Sequence, residues 1–374
     1  MLKLGNLTGG RMYIYINHSK LYNIILYLYL FISFFASTVL CNNYNSSNSL
    51  VNKVCISPLT FNPSAGHNIK INYSLRKCAS ITVQIFGPEG EKIKTIVKQN
   101  KMLKGFNSQI WDGKDSKGII VPNEAYRFTI TATTNESSQV YNPDISKWNR
   151  FDTKKITVSK VSRAIVYKLP KQSRSRIRVG IENGPLVCTL LDWKPKIAGE
   201  IMVHWDGWDD NKIINLWENE KSKIVITNIE LPKNIIITYG NKKIKYIDYK
   251  KANSFDKNQQ TTNTTTPVSL STMISPKLTI SFPMIKNNLN KIPVLDKTTI
   301  VRIDVEDKIY LATTPYEIVF FVDNEFYSEE PAGIVPYNWM WDITNIKPGE
   351  HIITVNLVSF HDQIGATSAK VIIR

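Results

Sequence analysis

Two short segments concentrate carboxylates: Asp112 and Asp115 in one, Asp206, Asp209 and Asp210 in the other. Clustered acids are the raw material of a calcium loop, which needs three or more oxygen ligands in an order such as D-x-[DN]-x-[DN]-G. Neither segment has that order. Both instead sit in a Trp-Asp-Gly context, Trp111-Asp112-Gly113 and Trp205-Asp206-Gly207. Asp-Gly after a strand suits a tight turn, with the carboxylate accepting from its own backbone and glycine taking a positive φ. The turn is the first reading. Metal binding is kept as the lesser one, for Asp206, Asp209 and Asp210, and no cofactor is expected.

Two further patterns suit binding. Arg174, Arg176 and Arg178 alternate with Ser173, Ser175 and Ile177, so the guanidinium groups share one face of a strand. Such a stripe grips phosphate, sulfate or carboxylate, and is equally ordinary as a solvated outer face. Trp339 and Trp341 also lie two apart, in Tyr337-Asn338-Trp339-Met340-Trp341-Asp342. Exposed, they form a platform for stacking sugar rings; buried, they are core.

Catalytic patterns are sparse. His18, His67, His204, His351 and His361 fall in separate segments with no H-x-x-H or H-E-x-x-H spacing. There is no G-x-S-x-G elbow. Spacing alone does not test a carboxylate pair of the glycosidase kind. No enzyme activity is expected. The cysteines are Cys41, Cys55, Cys78 and Cys188, without any C-x-x-C. Cys55 and Cys78 flank the first expected strand pair and are a candidate disulfide, whereas Cys188 reads as a small core residue.

The elements that must hold these residues are strands. Ile69, Ile71, Tyr73 and Leu75 lie two apart, as do Ile81, Val83 and Ile85, and Tyr126, Phe128 and Ile130. Turn pairs punctuate them, which indicates a β-sandwich. The pattern then returns at an offset of 94 residues without a gap: Tyr73 meets Tyr167, Gly90 meets Gly184, Gly105 meets Gly199, and the two Trp-Asp-Gly motifs coincide. This is a duplicated domain. A third unit follows a Gln/Thr/Asn-rich stretch. The expected class is all-β, tandem immunoglobulin-like sandwiches, at residues 55–134, 160–250 and 277–374. Residues 42–54 read as a flexible leader, 134–162 as a polar connection and 251–276 as a low-complexity linker. No segment after the first forty residues has helical periodicity.

The N-terminal 41 residues differ. Lys20 precedes the uncharged run Leu21–Leu40, and Ala36, Ser37 and Thr38 are small. That is a secretory signal peptide or, uncleaved, an anchor; Met12 is an alternative start. Leu40 before Cys41 lacks the small residue that a lipidation signal wants. Export to a periplasmic, cell-surface or secreted location is expected. The net charge of +16, from 47 basic and 31 acidic residues, is spread evenly and accompanied by no nucleic-acid motif. Expected partners are envelope or surface proteins, with polysaccharide as an alternative. Nucleic acid is not expected, and membrane contact is expected through the N-terminal segment alone.

Phe61-Asn62-Pro63, Tyr73-Ser74-Leu75, Val83-Gln84-Ile85-Phe86, Gly90, Gly105, Trp111-Asp112-Gly113-Lys114-Asp115-Ser116-Lys117-Gly118 and Ala125-Tyr126 together resemble the FlgD-type immunoglobulin-like domain. The likeness covers about residues 56–133. The second copy resembles it more loosely, with Lys212 where the first has Gly118. The resemblance implies a sandwich used as a spacer, assembly or adhesion module in a secreted bacterial protein. It does not imply a hook-capping role, because a signal peptide stands where that family has its rod-binding segment.

Overall fold

Alternation of apolar side chains becomes alternation of burial. In Ile69–Leu75 and Thr299–Val305 every second residue is buried, because successive Cβ atoms of a strand point to opposite sheet faces. The computed structural model describes residues 49–143, 149–253, 273–285, 292–306, 316–359 and 362–374. The chain is all-β, built as three immunoglobulin-like sandwiches, each with its own apolar core. The expected signal peptide, Cys41, His18 and His361 lie outside the described residues. Among the described residues no helix is long and apolar enough to cross a membrane.

The first sandwich holds β1 (Val51–Ser57), β2 (Thr60–Phe61), β3 (Ile69–Leu75), β4 (Ala79–Phe86), β5 (Lys92–Met102), β6 (Gly105–Trp111), β7 (Ala125–Thr133) and β8 (Ser138–Tyr141). One sheet has the order β1-β3-β6. The second sandwich holds β9 (Arg150–Asp152), β10 (Ile156–Ser159), β11 (Ala164–Leu169), β12 (Ser173–Ile181), β13 (Leu186–Lys196), β14 (Gly199–His204) and β15 (Ser222–Glu230), in sheets β10-β11-β14 and β13-β12-β15-β9. The duplication is exact in strand limits for one pair: β5 and β13 differ by 94 at both ends.

The chain then returns to the first sandwich. β16 (Ile236–Thr238) lies between β2 and β7 in the sheet β2-β16-β7-β4-β5. The edge of β7 is thus covered in two pieces. β8 pairs Ile130–Thr133, and β16 pairs Ala125 and Tyr126. The helix α1 (Tyr246–Asn253) follows, and its Tyr249 joins the first core. The third sandwich comprises β17 (Leu278–Ser281), β18 (Val294–Leu295), β19 (Thr299–Val305), β20 (Tyr316–Val322), β21 (Glu325–Gly333), β22 (Tyr337–Trp341), β23 (Gly349–Ser359) and β24 (Ile364–Ile373), in sheets β17-β19-β22 and β18-β24-β23-β20-β21.

Several expected boundaries change. Residues 51–54, read as flexible leader, begin β1, with Val51 and Val54 buried. The polar connection 134–162 builds β8, β9 and β10. The second sandwich runs from 150 to 230 rather than 160 to 250, because residues 236–253 serve the first. Tyr246–Asn253 forms the helix α1 although no helical periodicity is read after the first forty residues, and Met273 at the far end of the expected linker is buried against Trp193. Most of that linker lies outside the described residues. The Cys55–Cys78 disulfide is also corrected. Cys55 is buried on β1 opposite Asn72, whereas Cys78 is exposed beyond the end of β3. Asn72 to Leu75 alone spans about 10 Å of strand, more than the roughly 7 Å Cα separation a disulfide tolerates.

Candidate functional site

The arginine strand carries two buried guanidinium groups, those of Arg174 and Arg176. β12 lies between β13 and β15. Its Ile177 and Val179 enter the second core, so the alternating Arg174, Arg176 and Arg178 emerge on the opposite face. In a lone sandwich that face meets water. Here it is covered: Arg174 is 5% exposed and Arg176 3%. The reading of a stripe open to an external anion is therefore corrected. Its anions are carboxylates of the same chain.

Arg174 Nη1 donates to both carboxylate oxygens of Glu124, at 3.0 and 2.7 Å, and to the Trp193 carbonyl at 3.2 Å. Glu124 precedes β7, so this pair joins the first and second sandwiches. Both side chains are 6% exposed. Arg176 and Arg178 turn the other way, to Asp362 in the β23–β24 connection. Arg176 Nη2 lies 2.8 Å from Asp362 Oδ2, and its Nη1 donates to the Asp362 carbonyl at 3.0 Å. Arg178 Nη2 donates to the same carbonyl at 2.9 Å. Arg150 of β9 adds a third guanidinium, 2.9 Å from Asp362 Oδ2. Burial lowers the Arg176 pKa against the pull of Asp362, and burial together with Arg176 brings Arg178 down to about 10. Arg178 therefore stays cationic at neutral pH. The Arg176 guanidinium also lies 4.3 Å from the Trp193 ring centre, a favourable cation–π distance.

Amides complete the junction with the third sandwich. Asn356 accepts from Leu186 N at 2.9 Å and donates to Leu186 O at 2.7 Å. One side chain thereby reproduces a β-ladder rung on the open edge of β13. Asn211 Nδ2 donates to Thr367 Oγ1 and to the Ser368 carbonyl. A cleft of about 840 Å³ is lined by Glu124, Asp192, Trp193, Ser275 and residues of the third sandwich. Burial raises the Asp192 pKa, and its Oδ2 accepts from Ser275 N at 2.7 Å.

The tryptophan pair is core. Trp339 is 7% exposed and Trp341 fully buried; they stack on each other at 5.4 Å, and Trp339 stacks on Phe320 at 4.2 Å. The sugar-platform reading is corrected, since both rings face inward between the sheets. In the Trp-Asp-Gly loops the carboxylates accept from backbone. Asp112 takes Lys114 N, and Asp115 takes Lys117 N and Ile119 N. Asp206 takes Trp208 N and pairs with Lys212; Asp209 takes Ile213 N and Ile214 N. Each tryptophan donates its Nε1–H three residues ahead, to the carbonyls of Lys114 and Trp208. Asp206 and Asp209 are thus directed inward to their own loop, and among the described residues no three metal-ligating side chains converge.

No protein-family model and no curated protein sequence matches this chain. Solved structures resemble it only remotely. An endo-β-1,4-mannanase from Thermotoga petrophila is 17% identical over 38% of this chain and 26% of its own length, with a TM-score of 0.21. The FN1–FN3 domains of chicken CNTN1 are 10% identical over 82% of this chain and 94% of theirs, at 0.17. A tetra-tandem repeat from the extending region of a large adhesion protein is 10% identical over 85% and 73%, at 0.18. The chain spans about a quarter of the mannanase. Likenesses at these scores carry no argument about activity.

The remaining candidates are dispersed. His67 and His204 are exposed on different sandwiches. His351 contacts Asp323 at 2.6 Å on the third. Cys188 is buried, and burial with the nearby Asp210 and Asp209 pushes its thiol pKa up. What sequence reading missed is the partner set: Glu124, Asp362 and Asn356. They lie 50, 186 and 170 residues from the groups they bind, and no local pattern marks such distances.

Proposed function

We propose that this chain is a non-catalytic structural module of an exported, envelope- or surface-associated kind, which spaces or assembles other components through protein–protein contact. One observation carries the reading: the arginine stripe joins three sandwiches instead of facing a ligand. Buried Arg–carboxylate contacts of this sort fix orientation between domains better than flexible linkers do. The resemblance of the first sandwich to the FlgD-type domain supports the same assembly role. The uncharged run Leu21–Leu40 supports export. Cell fractionation with mass measurement of the mature N-terminus tests it. Recovery outside the cytoplasm is expected, starting near residues 37–41 if the segment is cleaved. Cytoplasmic protein with residues 1–41 intact would overturn the export half of the reading.

A further inference from the structure

Two strands that end their sheets, on different sandwiches, carry opposite charge. β5 ends its sheet in the first sandwich, and β21 ends its sheet in the third. β5 reads Lys92-Ile93-Lys94-Thr95-Ile96-Val97-Lys98-Gln99-Asn100-Lys101-Met102, with four lysines and no acid. Its second half, from Lys98 to Lys101, is exposed. β21 carries Glu325, Glu329 and Glu330 and no base. Among the described residues, Lys98 and Lys101 have no carboxylate at ion-pair distance, and Glu325 and Glu329 have no cation. Apolar side chains accompany the charges on both edges: Leu103 is 77% and Phe106 76% exposed beside β5, and Phe326 is 58% exposed on β21.

We propose that the basic edge of β5 in one copy of the chain docks against the acidic edge of β21 in a second copy. Like edges repel, so β5 does not pair with β5, nor β21 with β21; only the unlike combination is attractive. Contact between two different patches is heterologous and propagates head to tail. Edge strands offer unpaired backbone groups for such addition. In the second sandwich the corresponding edge strand, β13, takes the Asn356 side chain on the backbone of Leu186, the residue that matches Lys92 at the start of β5. On the acidic side, burial and the neighbouring Glu329 raise the Glu317 pKa, so carboxylates there crowd each other without a cation.

The test is sedimentation of the full chain against protein concentration and salt. Wild type is expected to form open-ended oligomers at low salt, weakened about tenfold or more at 0.5 M NaCl, where screening is short-ranged. The variants K98E/K101E and E325K/E329K are each expected to be monomeric with unchanged circular dichroism. An equimolar mixture of the two restores both junctions and is expected to reassemble. Wild type monomeric at high concentration and low salt would overturn the proposal. Assembly that survives in either variant alone, or a mixture that stays monomeric, would overturn it as well. So would a monomer whose β5 lysines bind only an anionic polysaccharide.

Discussion

Gly113 and Gly118 hold positive φ for different degrees of need. At Gly113 φ is +71°, and a Cβ would fall 2.4 Å from Pro63 Cβ and 3.0 Å from the Phe61 ring; at Gly118 φ is +81° with open space around it. Gly118→Ala should therefore cost only backbone strain, about 1 kcal/mol. Gly113→Ala adds a clash and should cost more, about 3 kcal/mol. Chemical denaturation of the two variants checks the order. Lys212 stands where Gly118 recurs, at φ +57°, and Lys212→Gly should be neutral or stabilising. The need for glycine here was legible from the Asp-Gly pair and its repetition. Lys212 retaining the conformation was not, because the chain alone does not say which of two loop geometries survives the substitution. The burial of Trp339 was equally illegible, since period two places both rings on one face without saying which. Trp339→Ala should destabilise by about 3 kcal/mol or more, read as a lowered denaturation midpoint.

At the scale of elements, the split edge of β7 and the docking of α1 make the first sandwich depend on residues beyond the second. Asn234 Nδ2 donates to the Val54 carbonyl and to the Tyr141 hydroxyl. A fragment of residues 49–143 should be poorly folded or aggregate through the uncovered half of β7, and one of residues 49–253 should fold; dispersion of amide NMR signals distinguishes them. α1 also brings Tyr246, whose hydroxyl donates to the buried Glu91 carboxylate. Burial first, then Glu124, raises Glu91 from 4.5 to about 8, against the opposing Arg127 and Arg174. The folded state therefore binds a proton that the unfolded chain releases near pH 4.5. Its contribution is full below that pH and is lost as pH rises toward and through 8. The thermal midpoint should fall over this window by about 3 °C or more. Glu91→Gln should flatten the fall.

For the whole molecule, the arginine strand decides whether three sandwiches act as one body. Glu124→Gln leaves Arg174 buried without a full counter-charge and should cost about 3 kcal/mol. Replacing both partners with apolar residues, Arg174→Met with Glu124→Leu, should recover much of that loss, because no orphan charge remains. Asp362 is more exposed and holds three guanidinium groups. Asp362→Ala should loosen the third sandwich more than unfold it. Calorimetry should then show a separate transition, and small-angle scattering a larger radius of gyration.

The sequence by itself did not determine the start of β1 or the strands β8, β9 and β10, but it determined most of the core strands, the sandwich class and the duplication. Those follow from side-chain period and turn chemistry, which act within a few residues of chain. Tertiary structure decided which exposed-looking face was solvent and which was interface. It also decided where the second sandwich ends. Both depend on segments that meet across 50 to 186 residues, where burial is set by what packs on a face and not by the face itself. An Arg-Ser-Arg alternation reads the same whether water or an aspartate waits opposite. Only the fold put Glu124 and Asp362 there.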